Sequence, residues 1–304
     1  MEWKAGVFNM TEHEFMLFDR VEKARQIIAK YGEENFEISF SGGKDSTTLH
    51  YFIDYAIPGN RIIRRFANTG IEFLETVKFV KSLAAKDDRI VIVNQKRNIK
   101  KTLEKYGYPF KSKEFSRVVP GSWNGKIGDT NQLKKILSGR FHKLTISKKL
   151  MPIINTPFCF NMSDNCCKLL KENVLDKNGK IRITAIRREE GGRRAGAVCL
   201  AFAGKKLKRF NIFAPVSNDF MKYLAEKLQI QFSALYYPPY NFERTGCKGC
   251  PFNPRLQKEL EVLKKFAPAE YRQCWYLWRP VYELYQKLNY RLKKPSDYEQ
   301  MELL

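Results

Sequence analysis

Phe36-Glu-Ile-Ser-Phe-Ser-Gly-Gly-Lys-Asp-Ser46 is the stretch that decides the fold. Phe36, Ile38 and Phe40 alternate with polar residues, the period of a strand. Ser41-Gly42-Gly43 breaks that period. The run from Asp45 to Ile53 reads as the opening turns of a helix, with Asp45 and Ser46 where helix starts favour them. Strand, glycine turn and helix N-terminus aim several backbone N–H groups at one point, beside the positive end of a helix dipole. Gly42 and Gly43 let the backbone approach an anion without a Cβ in the way. Lys44 adds a full positive charge, and Ser41 and Ser46 add hydroxyls. The expectation is a phosphate cradle. It is not a Walker loop, which needs an earlier glycine and a Ser or Thr directly after the lysine. Asp45 stands there instead, and a carboxylate so placed repels phosphate unless it also holds Mg²⁺ or a hydroxyl.

Upstream, Thr11-x-x-Glu14 has the form of a capping box. Phe15, Phe18, Val21, Ala24, Ile27 and Ile28 follow at helical spacing, and Gly32 suits a C-cap. This aromatic stripe is expected to pack in the core. Downstream, Arg61–Ala67 reads as a second strand and Ile71–Val80 as a helix behind it. Arg89–Asn94, Ile181–Ile186 and Asn211–Ser217 read as further strands. A helix begins near Asn218, with Met221, Leu224 and Leu228 on its apolar side. Leucines and valines from Leu256 to Leu288 fit helices. Strands alternating with helices predict a doubly wound, mainly parallel α/β sheet of Rossmann-like form, with a C-terminal helical extension. The expected organisation is a nucleotide-binding domain over 1–254 and the extension over 255–304.

The 304 residues carry 55 Lys+Arg against 32 Asp+Glu, a formal charge of +23. Such an excess exceeds the need of one nucleotide site and predicts a polyanionic partner, DNA or RNA. Residues 134–149 interleave six cations with leucines, isoleucines and a phenylalanine, and Lys205, Lys206, Lys208 and Arg209 form a second basic knot. Lys111, Lys113 and Arg117 sit in a long loop and are candidates for phosphate contacts or for solvated surface. No apolar run has the length of a membrane span, and the N-terminus lacks a signal-peptide core, so a cytoplasmic protein is expected.

Seven cysteines in such a chain point to metal or redox chemistry rather than a disulfide framework. Cys166-Cys167 and Cys247-x-x-Cys250 offer four thiolates in two pairs, which suits a tetrahedral metal or an iron–sulfur cluster. An adjacent Cys-Cys pair is awkward for one zinc and less so for a cubane, whose corners are separate irons. Gly246 and Gly249 are expected to free backbone N–H groups to bond the sulfurs. Cys159, Cys199 and Cys274 are left over, with buried inert thiols the default reading and Cys159 the candidate sulfur carrier.

Ser41-Gly-Gly-Lys-Asp-Ser46 resembles the PP-loop of the ATP-pyrophosphatase superfamily. Asn68-Thr-Gly-Ile-Glu72 is similar to the second motif of the phosphoadenosine phosphosulfate (PAPS) reductase family, with Asn68 where that family usually has Asp. Arg187-Arg-Glu-Glu-Gly-Gly-Arg-Arg194 resembles its arginine motif at Arg187, Glu190 and Arg194, with Ala185 and Gly191 replacing its Gly and Ser. The four cysteines look like the cluster pattern of adenylyl-sulfate reductases and of DNA phosphorothioation and RNA thiolation proteins. The resemblance spans roughly residues 36–252. It implies an adenine nucleotide, ATP with Mg²⁺, on Ser39, Ser41, Gly42, Gly43, Lys44, Asp45, Ser46, Asn68, Thr69, Gly70 and Glu72. It also implies catalytic roles for Lys44, Asp45, Arg187 and Arg194, and one [4Fe–4S] cluster on Cys166, Cys167, Cys247 and Cys250. The activity expected is substrate adenylation with pyrophosphate release, followed by sulfur transfer to nucleic acid, with a cysteine desulfurase as one possible sulfur donor. The alternatives are sulfonucleotide reduction, whose enzymes carry a nucleophilic cysteine in a Glu-Cys-Gly motif not found after Cys274, and a nucleotide-binding partner without turnover.

Overall fold

The structure is a computed structural model that describes residues 10–118, 160–172 and 179–293. The basic segment 134–149 and Cys159 lie outside these residues. In chain order the helices are α1 (Glu12–Tyr31), α2 (Lys44–Ala56), α3 (Leu74–Ala84), α4 (Ile99–Tyr106), α5 (Lys113–Val118), α6 (Asn218–Lys227), α7 (Leu256–Phe266) and α8 (Pro268–Lys287). The strands are β1 (Phe36–Phe40), β2 (Ile63–Asn68), β3 (Ile90–Asn94), β4 (Ile181–Ile183), β5 (Leu200–Ala203) and β6 (Lys206–Phe210). The chain divides into two compact units.

The first unit comprises residues 1–67, 75–93 and 175–234 and holds the sheet. Its six strands run in the order β3-β2-β1-β4-β6-β5. β1 is parallel to β2 and to β4, β4 is parallel to β6, and β5 returns antiparallel to β6. The fold is therefore α/β with a mostly parallel sheet. The chain leaves β1 toward β2 on one side and later places β4 on the other. That reversal makes the carboxyl end of β1 a topological switch point, where open α/β sheets bind ligands. Leu49, Phe52 and Ile53 of α2 are fully buried against Phe36 and Ile38 of β1, in a cluster shared with α1 and α6. Burial of each such side chain contributes about 1.5–3 kcal/mol. A smaller cluster joins Phe40, Phe66 and Ile90 to Val80 of α3.

Three expectations about elements need correction. Thr11 and Glu14 do form the capping box that opens α1. Phe15 and Phe18, however, are exposed, and the buried face runs through Leu17, Val21, Ala24, Ile27 and Ile28. The last strands lie at Leu200–Ala203 and Lys206–Phe210, not at 211–217. A basic hairpin hid them, and Asn211–Val216 forms turns that bury Ile212, Phe213 and Val216. The helix expected from Ile71 starts at Leu74, because Glu72 is held in an extended bridge to Cys247.

The second unit comprises residues 68–74, 94–174 and 235–304. Its core joins Ile71, Phe73, Phe110 and Phe115 to Cys166 and to Leu260, Leu277, Trp278, Tyr282 and Tyr285 of α7 and α8. The helices after residue 254 thus share a unit with residues 68–74 and 94–174. Among the described residues no helix is long and apolar enough to cross a membrane.

Candidate functional site

In the first unit, β1 feeds Ser41-Gly42-Gly43 directly into α2, with Gly43 at the N-cap and Asp45 in the first turn. Gly42 has φ +69°, and a Cβ there would come within 2.8 Å of Val80 Cγ2 and 3.0 Å of Thr76 Cγ2. Glycine is required at Gly42 both by its left-handed backbone and by the close approach of α3. The serine hydroxyls turn inward. Ser46 Oγ accepts from the Ser41 N–H at 3.1 Å and donates to Gly43 C=O at 3.0 Å, while Ser41 Oγ lies 2.9 Å from Ser46 Oγ. Ser39 lies in β1, opposite Arg65 of β2.

Arg187 follows β4 and brings charge to this turn. Its Nη2 lies 3.4 Å from Asp45 Oδ1 and its Nη1 lies 3.5 Å from Glu189 Oε2. The carboxylate that looked hostile to phosphate is thus met by an arginine. Arg187 is buried, and its Nε is a buried donor with no hydrogen-bond partner among the described residues. An orphaned guanidinium N–H beside a glycine turn fits an anionic group such as a phosphate or sulfate. Arg194 pairs with Glu190, whose other oxygen accepts the Arg187 N–H at 3.2 Å. The structure therefore places Arg187 beside Asp45 and ties Arg194 into the arginine turn.

A second cluster in this unit went unread in the sequence. His50, Asp54 and Asp87 offer ligand atoms within 4.8 Å of one another. Arg64 and Arg89 already neutralise the carboxylates, with Arg64 Nη2 2.6 Å and Arg89 Nη1 2.8 Å from Asp54 Oδ1. Arg64 Nε also donates to His50 Nδ1 at 3.2 Å. Burial, and then the Arg64 charge, push His50 down to about 4. This is an ion-pair network around a neutral histidine.

In the second unit all four expected cysteines come together. Cys166 and Cys167 hydrogen-bond each other, and both thiols of the Cys247-x-x-Cys250 loop act electrostatically on Cys166. The hydrogen bond from Cys166 pushes Cys167 down to about 6, and the same bond pushes Cys166 up. Burial raises Cys250 and Cys247, the latter against the pull of Lys171. Two lysines serve the sulfurs, Lys113 at Cys167 and Lys171 at Cys247. Among the described residues no three of the sulfurs fall within 4.8 Å of one another. Four thiols so grouped are of a kind that could take up a single metal ion or an iron–sulfur cluster.

The Cys247 loop is wired differently from the sequence expectation. Two of its N–H groups bond elsewhere than to the sulfurs. Lys248 N–H donates to Ile71 C=O at 2.8 Å, and Gly249 N–H donates to Glu259 Oε1 at 2.6 Å. The N–H that reaches a sulfur comes from Phe252, to Cys250. The carbonyls face α8. Trp278 Nε1 donates to Lys248 C=O at 3.1 Å, Tyr282 Oη to Gly249 C=O, and Tyr285 Oη to Pro251 C=O at 2.9 Å. Gly249 has φ +61°, and a Cβ there would meet Tyr282 Oη at 2.4 Å and Cys274 Sγ at 2.6 Å. Cys274 is thus a packing thiol under the loop, and Cys199 is a half-buried one.

The Asn68–Glu72 motif is stitched to this loop. Thr69 N–H and Oγ1–H both donate to the Glu72 carboxylate at 2.8 Å. Glu72 pairs with Cys247 in an antiparallel bridge, and Lys171 Nζ stands 3.1 Å from Glu72 Oε1. Asn68 Nδ2 donates to Asn94 Oδ1 at 2.8 Å, and Gly70 N–H reaches Asn68 Oδ1 at 3.4 Å. Lys113 and Arg117, read as phosphate candidates, are engaged inside this unit, with Arg117 donating to Asp164 at 2.6 Å. The roles of Lys113, Lys171, Glu259 and the α8 aromatics depend on contacts across long stretches of chain, and no local pattern announces them.

The mostly parallel sheet, with a glycine turn at its switch point, and the grouped cysteines define an α/β protein of the class whose open sheets bind ligands at that point. The phosphoadenosine phosphosulfate reductase domain matches residues 35–253, and the chain belongs to that family. The uncharacterized protein MJ0973 of Methanocaldococcus jannaschii is 40% identical over 111 residues, 33% of this chain and 26% of that protein. The match therefore spans about a quarter of that relative's length. Among solved structures, the phosphoadenylyl-sulfate reductase of Candida auris in a phosphate complex is similar at 10% identity and TM-score 0.41, covering 80% of this chain and 98% of that one. The U34-tRNA thiolase NcsA of Methanococcus maripaludis, solved with its [4Fe-4S] cluster, is similar at 18% identity and TM-score 0.34, covering 92% and 82%. The NH3-dependent NAD synthetase of Campylobacter jejuni is similar at 10% identity and TM-score 0.37, covering 94% and 99%.

Proposed function

We propose that this chain uses ATP to activate an oxygen of DNA or RNA for replacement by sulfur, with an iron–sulfur cluster on Cys166, Cys167, Cys247 and Cys250. The observation that carries the reading is the Glu72–Cys247 bridge, which fastens a nucleotide-family motif to the cysteine loop. The glycine turn, Lys44 and Mg²⁺ would hold the nucleotide phosphates, and Arg187 would keep Asp45 neutralised while offering its Nε to an anion. Adenylation joins the acceptor oxygen to the α-phosphorus and breaks the α–β bridge, so pyrophosphate leaves. A sulfur nucleophile then displaces that oxygen as part of AMP; if the sulfur arrives as a cysteine desulfurase's persulfide, its attack leaves an acceptor–S–S–Cys disulfide, and a dithiol reductant breaks the S–S bond to free the thiolated acceptor. A bound cluster supplies thiophilic iron for handling the sulfur. The charge of +23 favours a nucleic-acid acceptor.

A second reading is reduction of adenylyl sulfate or PAPS. It is favoured by the unpartnered Arg187 Nε, which suits sulfate as well as phosphate. An anaerobic comparison separates the two. With a dithiol reductant in both arms, cluster-loaded protein is given ATP, labelled persulfide and either tRNA or duplex DNA, or else adenylyl sulfate or PAPS. Pyrophosphate release matched by labelled nucleic acid is expected. Sulfite release from either sulfonucleotide, with no labelled nucleic acid, would overturn the proposal in favour of reduction.

A further inference from the structure

The β5–β6 hairpin ends in a two-residue turn at Gly204-Lys205, at the open edge of the sheet. Its register is Leu200 with Phe210, Ala201 with Arg209, Phe202 with Leu207 and Ala203 with Lys206. Lys208 therefore has no cross-strand partner and is the extra residue of a β-bulge. Bulges bend an edge strand and re-aim its side chains. Opposite residues of an antiparallel pair share a face. Lys206 and Arg209 thus rise on the face of Ala201 and Ala203, while Leu207 and Phe210 are buried on the other. A regular strand would alternate, but here Lys208 and Arg209 are both exposed in sequence. With Lys205 at the turn, four exposed cations stand over two alanines that leave the backbone uncovered. Among the described residues none of the four forms an ion pair. Phe202, opposite Leu207, lies on the other face.

We infer that this bulged hairpin is a docking surface for the phosphodiester backbone of a nucleic acid. Side chains along one strand face recur about every 7 Å, so the cations form a row rather than a single pocket. A row of point charges matches a polymer that carries one anion per residue. The small alanines let the strand lie close. The inference rests on the proposed function only for the class of partner. The hairpin itself is independent of the cradle and the cysteines.

The test uses the full chain, loaded anaerobically, and a 20-nucleotide single-stranded RNA. The variant Lys205→Gln/Lys206→Gln/Lys208→Gln/Arg209→Gln is compared with a charge-matched control, Lys30→Gln/Lys81→Gln/Lys86→Gln/Lys227→Gln. The hairpin variant should bind about tenfold or more weakly near ~0.1 M salt, and the slope of log K against log salt should fall by about 2–3. The control should change either quantity much less, and both variants should melt like the parent. Equal weakening in the two variants, or none in the hairpin variant, overturns the hairpin assignment while leaving the proposed function standing. Absence of RNA and DNA binding by the parent overturns both. Preferential loss of binding to polyglutamate or to phosphatidylserine vesicles in the hairpin variant replaces nucleic acid with that partner.

Discussion

Glu72 and Cys247 face each other across an isolated antiparallel bridge, and the Glu72 carboxylate is also the acceptor for Thr69 and Lys171. One buried acid thereby ties a strand-end motif, a cysteine and a lysine into one piece. Glu72→Ala would leave Lys171 and Thr69 without that acceptor. Breaking a buried pair costs about 3–5 kcal/mol, and because the Lys171 side chain keeps about a third of its surface in solvent, the expected loss is nearer ~2 kcal/mol. Urea unfolding of the reduced, metal-free protein measures it. A midpoint equal to the parent's removes the clasp from the account.

The cysteine site predicts its own specificity. Replacing Cys166, Cys167, Cys247 or Cys250 by Ser should lower bound iron from about four per chain and bleach the visible absorption of a cluster. Cys199→Ser should do neither. Gly249→Ala should act like a ligand variant, since its Cβ would press on Tyr282 and Cys274. A residue forced into such backbone costs about 1–3 kcal/mol. Trimming the obstruction with Cys274→Ala in the same chain should recover part of the iron. Zinc in place of iron, with no colour, would sink the cluster assignment.

Arg187 and Asp45 should behave as a coupled pair. Arg187→Ala removes the arginine that faces the Asp45 carboxylate, together with the buried Nε–H. Pyrophosphate release from ATP should fall at least about a hundredfold, the size expected from losing ~3 kcal/mol of charge-assisted contact. Adding Asp45→Asn should restore nucleotide affinity more than it restores turnover. Strictly additive effects in this double-mutant cycle would mean that the 3.4 Å contact carries no coupling.

The His50 network sets a pH dependence in the sheet unit. Burial lowers its pKa from 6.5 to about 4, so the folded state binds the proton less tightly than the unfolded state. The associated stability is complete above pH ~6.5 and is lost as pH falls through ~4. Its full size is on the order of 3 kcal/mol, at 1.36 kcal/mol per unit. His50→Gln keeps an acceptor for Arg64 but cannot titrate. Urea midpoints measured from pH 7 to pH 4.5 should fall for the parent and flatten for the variant. Parallel curves would exclude His50 as the source.

How much of this was legible follows the range of each interaction. The cradle could be read because β1, the glycines and α2 are contiguous, and the Thr11–Glu14 cap because its partners are three residues apart. The cysteine set could be read because thiolates in pairs have few other uses in such a chain. The β5–β6 hairpin could not, since lysines at alternate positions look like a charge cluster and a bulge erases the period. Phe15 and Phe18 misled because helical spacing gives a stripe but not which stripe faces inward. The start of α3 at Leu74 was set by Cys247, far along the chain.

The carbonyls of Lys248, Gly249 and Pro251 are held by Trp278, Tyr282 and Tyr285. Those aromatics are made some thirty residues after the cysteines they steady, so during synthesis the thiols emerge before their scaffold does. Any metal loading of the proposed site would therefore belong after translation has passed Tyr285, since a nascent chain stalled before that point holds all four thiols but leaves the Cys247–Cys250 loop without its scaffold.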